Sequence, residues 1–194
     1  IAADGVIEVF SAVAPMGQGI ATSLAQLVVD VFGVPMSQVR IVLGDTDRGD
    51  GFGSAGSRSL FTGGSAVKEG SERSLAQARE LAAKTLEVAG DDLSYDAGRF
   101  QVKGTDIGLG LGELAQRQPE GRMHLASTTK VSGPTWPNGC HVCEVEVDPA
   151  TGSVDLVAYS SVNDVGRVVN PTIVRGQLDG GAVQGMGQAL CEQM

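Results

Sequence analysis

Val6-Ile-Glu-Val-Phe10, Met16-Gly-Gln-Gly19, Ile20 through Val31, and Val39-Arg-Ile-Val-Leu43 follow one another in the first part of the chain, and their order decides the fold. Val6 to Phe10 has the apolar density of a strand. Ile20, Leu24, Leu27, Val28 and Val31 then recur at helical spacing and stop at Gly33-Val34-Pro35, where a glycine and a proline end helices. Val39 to Leu43 returns to strand character. The reading is strand, glycine-rich turn, helix, strand.

Beyond Leu43, the stretch Gly44 to Gly64 is rich in Gly, Asp and Ser and reads as a loop, long for a plain connection. From Ala66, the positions Leu75, Ala78, Leu81, Ala82 and Leu86 predict an amphipathic helix ending near Gly90, with Glu72, Arg73, Arg79 and Lys84 on its polar face. Asp96-Ala97-Gly98 suits a hairpin turn, Gly108 to Gly112 is a glycine-rich run, and Pro134 and Pro137 bound a loop. Val142 to Val147 and Val154 to Val162 alternate as half-buried strands do, joined by the turn signal Asp148-Pro-Ala-Thr-Gly152. Asn170-Pro171 opens a last helix from Thr172. No repeat or flexible linker interrupts the series, so strands and helices belong to one α+β architecture.

Composition narrows the function classes. The 194 residues suffice for a buried core, and at 42% hydrophobic no apolar run is long enough to cross a bilayer. The formal net charge of −9, with 14 scattered basic residues, argues against a nucleic-acid surface. Cys140, Cys143 and Cys191 are too few and too irregular for a disulfide framework, which fits a reducing compartment and makes the cytoplasm the default location. Ile1 in place of Met, and a last stretch without a helix-ending signal, suggest a chain cut at both ends.

Chemistry is suggested by glycine-rich turns. Met16-Gly17-Gln18-Gly19 lies between strand and helix, where glycines let backbone approach a ligand and the helix start offers unpaired N–H groups to anionic oxygens. Gln18 adds an amide able to donate and accept. A second loop, Gly53-Ser-Ala-Gly-Ser-Arg-Ser59, also runs into a helix, and Gly176-Gln177-Leu-Asp-Gly-Gly181 is read as a third at the head of the last helix. The plain alternatives are a tight turn, a solvated loop and close helix packing through small residues. Together the loops suit a large, polar, phosphate-bearing heterocycle.

Other chemistries fit less well. Neither a GxxxxGK[ST] loop nor a completed GxGxxG fingerprint is present. Asp45-Thr-Asp-Arg-Gly-Asp-Gly51 begins like a calcium loop but has Gly56 where the bidentate glutamate belongs. Cys140-His-Val-Cys143 lacks a second ligand pair, and on a strand its sulfurs point to opposite faces. Met186 reads as core and Asp164, before Val165-Gly166-Arg167, as a turn acceptor.

Taken in order, these motifs resemble the molybdenum-binding large subunits of the xanthine dehydrogenase and aldehyde oxidase family, particularly the branch of aerobic carbon monoxide dehydrogenase large subunits. The resemblance rests on Met16-Gly-Gln-Gly19 with Thr22 and Gln26, Gly44-Asp-Thr46, Gly56-Ser-Arg-Ser59 with Gly63-Gly64, and Gly98-Arg-Phe100. It continues through Glu144-Val-Glu-Val-Asp148, Thr151-Gly152, Asp164-Val-Gly166, Asn170-Pro171 and Gly176-Gln177 to Gly187. Pro15 departs from it, since relatives often carry an acidic residue there.

The resemblance implies that residues 1–194 are part of a molybdopterin-binding domain, truncated at both ends. It implies that Met16, Gly17, Gln18, Gly19 and Ile20 contact the cofactor, that Gly56 and Ser57 lie against its molybdenum end with Ser54 and Ser59 as secondary members of that loop, and that Gln177 is a further ligand. In the family the metal is held by the pterin dithiolene, so no protein metal ligand is expected. The general base, a glutamate in a Gly-Glu motif, falls beyond Met194, so no catalytic residue is assigned in this chain. The parent implied is an oxidoreductase carrying molybdopterin, as the cytosine dinucleotide in bacteria, that passes electrons to iron–sulfur and FAD partners within an oligomer. It oxidises an aldehyde, purine, N-heterocycle or carbon monoxide. A non-catalytic binding or assembly module of the same fold is the alternative.

Overall fold

The computed structural model describes residues 1–49, 51 and 53–192. β1 (Ile7–Ser11), α1 (Ile20–Phe32) and β2 (Val39–Leu43) form the expected strand–helix–strand unit. β1 and β2 pair in parallel, with Ile7 opposite Val39 and Ser11 opposite Leu43. The helix stops where its sequence says it should. Gly33 takes φ 63° and its N–H caps the Val29 carbonyl at 2.8 Å, with Pro35 just beyond.

α2 (Ser59–Leu86) packs along α1, and here the sequence expectation needs correction. Gly63, Gly64 and Ser59 belong to the helix, not to the preceding loop. The reason is tertiary. A Cβ on Gly64 would lie 3.1 Å from Leu27 Cδ1, and one on Gly63 would lie 3.2 Å from both Val13 methyls. The glycines let α2 settle against α1 and against the chain beyond β1, and that packing outweighs their poor helix propensity of about 1 kcal/mol each.

β3 (Leu93–Asp96), β4 (Arg99–Val102) and β5 (Gly108–Gly110) form an antiparallel sheet whose first turn is the expected Ala97-Gly98 hairpin, followed by α3 (Leu111–Gln116). Phe100 is fully buried, 4.8 Å centroid to centroid from Tyr95. The Tyr95 hydroxyl donates to the Phe32 carbonyl at 2.7 Å, joining this sheet to the end of α1, and burial pushes its phenol up to about 12. Arg79, expected on a solvated face, instead turns inward to donate to the Leu93 and Gly90 carbonyls at 2.7 and 3.3 Å. Ile7, Leu24, Val28, Phe32, Val67, Ala78, Leu93, Phe100 and Leu114 are among the residues of one continuous core.

The remaining elements stand apart from that core. β6 (Asn138–Val147) and β7 (Val154–Asp164) make an antiparallel hairpin around Asp148–Gly152, and α4 (Pro171–Leu190) follows, capped by the Asn170 side chain, which accepts from Ile173 N–H at 3.0 Å. The Thr151 hydroxyl and the Ala150 N–H hold the Asp148 carboxyl below its usual range and close the turn. The strands expected to be half-buried are exposed along nearly their whole length, and no residue of α4 is fully buried. The start of α4 is tethered to α1: Asn170 Nδ2 donates to Gln26 Oε1 at 2.8 Å, and Ile173 lies against Gly19. No helix among the described residues is long and apolar enough to cross a membrane.

Candidate functional site

Parallel pairing sends the chain out of β1 and β2 at the same end of the sheet. Residues 12–19 leave one strand and residues 44–58 leave the other, so two glycine-rich loops meet beyond the carboxyl ends of the strands, where open α/β sheets place their ligands.

The Ser54 side chain ties the loops together. Ser54 Oγ accepts from the Ala14 N–H at 3.0 Å and donates to the Ala14 carbonyl at 2.8 Å. Gln18 stiffens the first loop from within: its Oε1 accepts from the Met16 N–H at 2.6 Å and its Nε2 donates to the Ala14 carbonyl at 3.0 Å. The Gln18 amide thus braces its own turn and keeps one N–H and one lone pair free for anything outside it. Arg48 holds the start of the second loop, pairing with Asp45 at 3.1 Å and lying 4.5 Å over the Phe10 ring.

The glycines differ in purpose. Gly17 has φ 84° and open space where a side chain would be, and Met16 beside it is 65% exposed. Gly19 has φ 74° and caps α1 without any side-chain bond, and a Cβ there would meet Ile173 Cδ1 at 2.8 Å. Gly17 therefore presents bare backbone to solvent, whereas Gly19 admits α4. Ile20 is buried, so only its backbone N–H, at the open start of α1, can reach a ligand. In the second loop Gly53, Gly56 and Ser57 all take positive φ, and Gly56 and Ser57 are exposed; Ser59 begins α2.

Gln177 is not at a helix head. It lies in the second turn of α4, exposed, one turn beyond Ile173 and on the same side of the helix. The contact of Ile173 with Gly19 sets the first turn of α4 against the first loop, one turn before Gln177. The glycines of the Gly176–Gly181 stretch have nothing within 4 Å of a notional Cβ, so no helix packing among the described residues explains them. Sequence reasoning underrated Ser54 as the tie and missed Asn170 and Gln26 as the anchor of α4. Both had been named only as motif residues of the resemblance, and Asn170 also as the start of the last helix.

A cleft of about 750 Å³ runs beside these loops between β1, α2 and residues 122–129. Ala12, Val13, Gly53, Ala55 and Ser59 border it, but Met16 to Ile20 do not. The site is thus an open rim formed by two loops, not an enclosed cavity. Asp164 accepts from the Gly166 N–H at 2.9 Å, a turn role as expected, and Met186 is half-buried. Cys140 and Cys143 are free thiols, and no cluster of His, Cys, Asp or Glu suited to a metal is present among the described residues.

Comparison with known proteins identifies the family. Residues 1–194 match the family described as the molybdopterin cofactor-binding domain. The chain belongs to that family. The domain is 37% identical over 188 residues to the 6-hydroxypseudooxynicotine dehydrogenase complex subunit gamma of Paenarthrobacter nicotinovorans, covering 92% of this chain and 24% of that protein. It is 33% identical to the carbon monoxide dehydrogenase large chain of Hydrogenophaga pseudoflava, covering 92% and 23% respectively. Among solved structures it is similar to reconstituted CO dehydrogenase from Oligotropha carboxidovorans, with a TM-score of 0.79 and 30% identity over 93% of this chain and 24% of that one. It is likewise similar to quinoline 2-oxidoreductase from Pseudomonas putida 86, with a TM-score of 0.78 and 32% identity over 96% and 25%. The molybdopterin cofactor-binding domain described here therefore spans about a quarter of the relatives it matches. Their names describe oxidoreductases, and several are named as subunits or chains of larger complexes.

Proposed function

We propose that residues 1–194 form one wall of the molybdopterin site of a molybdenum hydroxylase, truncated at both ends relative to the whole domain. The observation that carries this reading is the pair of loops joined by Ser54 and Ala14 at the carboxyl ends of two parallel strands. The residues fit an anionic, heterocyclic cofactor. Gly17 leaves room for close approach, and the start of α1 has neither a side-chain cap nor an acidic residue in its first turn to compete for an anion.

In this reading the backbone from Met16 to Ile20 and the free N–H of Gln18 donate to pterin or phosphate oxygens. Gly56 and Ser57 bound the molybdenum end, with Ser54 and Ser59 holding the loop's shape. Gln177 reaches the cofactor from α4. When bound, the group supplies the redox chemistry, and this chain supplies position and dipoles. The metal takes no ligand from this chain.

The whole protein is assigned as a cytoplasmic molybdopterin oxidoreductase that oxidises an aldehyde, an N-heterocycle or carbon monoxide with water-derived oxygen. The dinucleotide form of the cofactor, molybdopterin cytosine dinucleotide, and partner domains or subunits carrying FAD and iron–sulfur clusters in an oligomer belong to the same proposal. Support comes from relatives named as CO dehydrogenase, nicotine 6-hydroxylase and xanthine dehydrogenase subunits.

The test is cofactor content of the complete protein carrying Gln18→Ala or Gln177→Ala, read as molybdenum and pterin per protomer. Among the described residues the Gln177 side chain makes no hydrogen bond, so its loss leaves folding intact, and the expected result is lowered occupancy from a lost bond worth about 1–3 kcal/mol. Full occupancy and wild-type turnover in both variants would remove these residues from the site.

A further inference from the structure

Asn170 uses both ends of its amide. It precedes Pro171 and holds the extended backbone, φ −136° and ψ 109°, that a residue before proline adopts. Its Oδ1 accepts from the Ile173 N–H at 3.0 Å and so caps α4. That bond fixes which way round the amide lies. Nδ2 is left to donate, and it does so to Gln26 Oε1 at 2.8 Å, from the start of α4 to the second turn of α1. Capping needs only an acceptor, which Ser, Thr or Asp also supplies, so the bond to Gln26 is a second task.

That task bears on the first loop. Gly19, the N-cap of α1, has no side-chain cap bond, and the bonds of Gln18 and Ser54 reach Ala14 and Met16 only. Beyond Gly17 the turn is held from outside, by Ile173, whose Cδ1 would lie 2.8 Å from a Cβ on Gly19. Gly17 therefore sits between two held points, with Ala14 and Met16 on one side and Gly19 on the other. The Ile173 contact alone would let α4 swivel about it. Gln26 lies about two turns further along α1, roughly 10 Å from Gly19, and a second contact at that distance sets the direction in which α4 leaves the turn. We propose that Asn170 and Gln26 are positioning residues for the Met16–Gly19 turn: their bond keeps Ile173 seated on Gly19 and thereby fixes the bare backbone at Gly17. The consequence for bound cofactor rests on the cofactor reading of that turn; the effect on the turn itself does not.

The test compares three substitutions in the complete protein. Asn170→Ser keeps an acceptor for the Ile173 N–H but is too short to reach Gln26, Gln26→Leu removes the acceptor on α1, and Gln26→Glu retains one. Hydrogen exchange of the amides from Met16 to Ile20 is expected to quicken about threefold to tenfold in the first two variants, the range that one net hydrogen bond spans, and to keep the wild-type rate in Gln26→Glu. Exchange in β3 and β4 stays unchanged in all three, which a general loss of stability would not allow. Molybdenum and pterin retained per protomer after dialysis fall in the same two variants. Faster exchange of the turn with cofactor fully retained would uphold the inference and remove the turn from the cofactor site. Wild-type exchange of the turn in both Asn170→Ser and Gln26→Leu would overturn the inference, and so would Gln26→Glu behaving like Gln26→Leu.

Discussion

Ser54 bonds both backbone groups of Ala14, accepting its N–H at 3.0 Å and donating to its carbonyl at 2.8 Å across forty residues of sequence. Two loops that leave different strands are thereby held as one rim. Ser54→Ala is expected to cost about 1–2 kcal/mol, since both bonds disappear together and the Ala14 groups are partly buried. Thermal unfolding reads the stability loss, and cofactor content of the complete protein should fall with it; an unchanged melting temperature would show that the loops hold their geometry without this tie.

The contact between Gly19 and Ile173 is steric. A Cβ at Gly19 would lie 2.8 Å from Ile173 Cδ1, so Gly19→Ala both strains a residue at φ 74° and pushes α4 away. Ile173→Ala should relieve the second effect and leave the first. A double-mutant cycle is expected to show a favourable coupling of about 0.5–1 kcal/mol, and additive effects would mean that α4 is not seated on this turn.

Tyr95 offers a pH signature. Its phenol is raised to about 12 from the ordinary 10, chiefly by burial, so the folded protein holds this proton more tightly than the unfolded chain does. The associated stability is present in full below pH 10 and declines as pH rises through 10 to about 12. Absorbance titration should therefore resolve a late tyrosinate that Tyr95→Phe removes. A single transition near pH 10, unaltered by the substitution, would contradict the packing of Tyr95 beneath the end of α1.

Much of the fold was legible because its signals are local. The spacing of Ile20, Leu24 and Val28, the stop at Gly33 and Pro35, and the Asp148–Gly152 turn each act within a few residues, and each element forms where its sequence places it. Gly63 and Gly64 misled because their reason is remote: Val13 and Leu27 press against α2 from other elements. Arg79 misled in the same way, since the carbonyls of Gly90 and Leu93 that draw it inward belong to the next sheet. At the site, the Met16–Gly19 turn could be read as open backbone between strand and helix. The tie of the preceding Ala14 to Ser54, and the seating of Ile173 on Gly19, depend on contacts that no spacing encodes.

The central claim is that the turn around Gly17 faces the molybdopterin cofactor, and a matched pair of glycines tests it. Gly17 and Gly104 have nearly the same backbone, φ 84° and 77°, and neither has any atom within 4 Å of a notional Cβ; Gly104 lies in the turn between β4 and β5, away from both loops. Valine at either position costs about 1–2 kcal/mol of the same backbone strain. The measurement is molybdenum and pterin per protomer in the complete protein carrying Gly17→Val or Gly104→Val. Loss of cofactor from Gly17→Val with retention in Gly104→Val is the predicted result, and equal, stoichiometric cofactor in both would contradict the account.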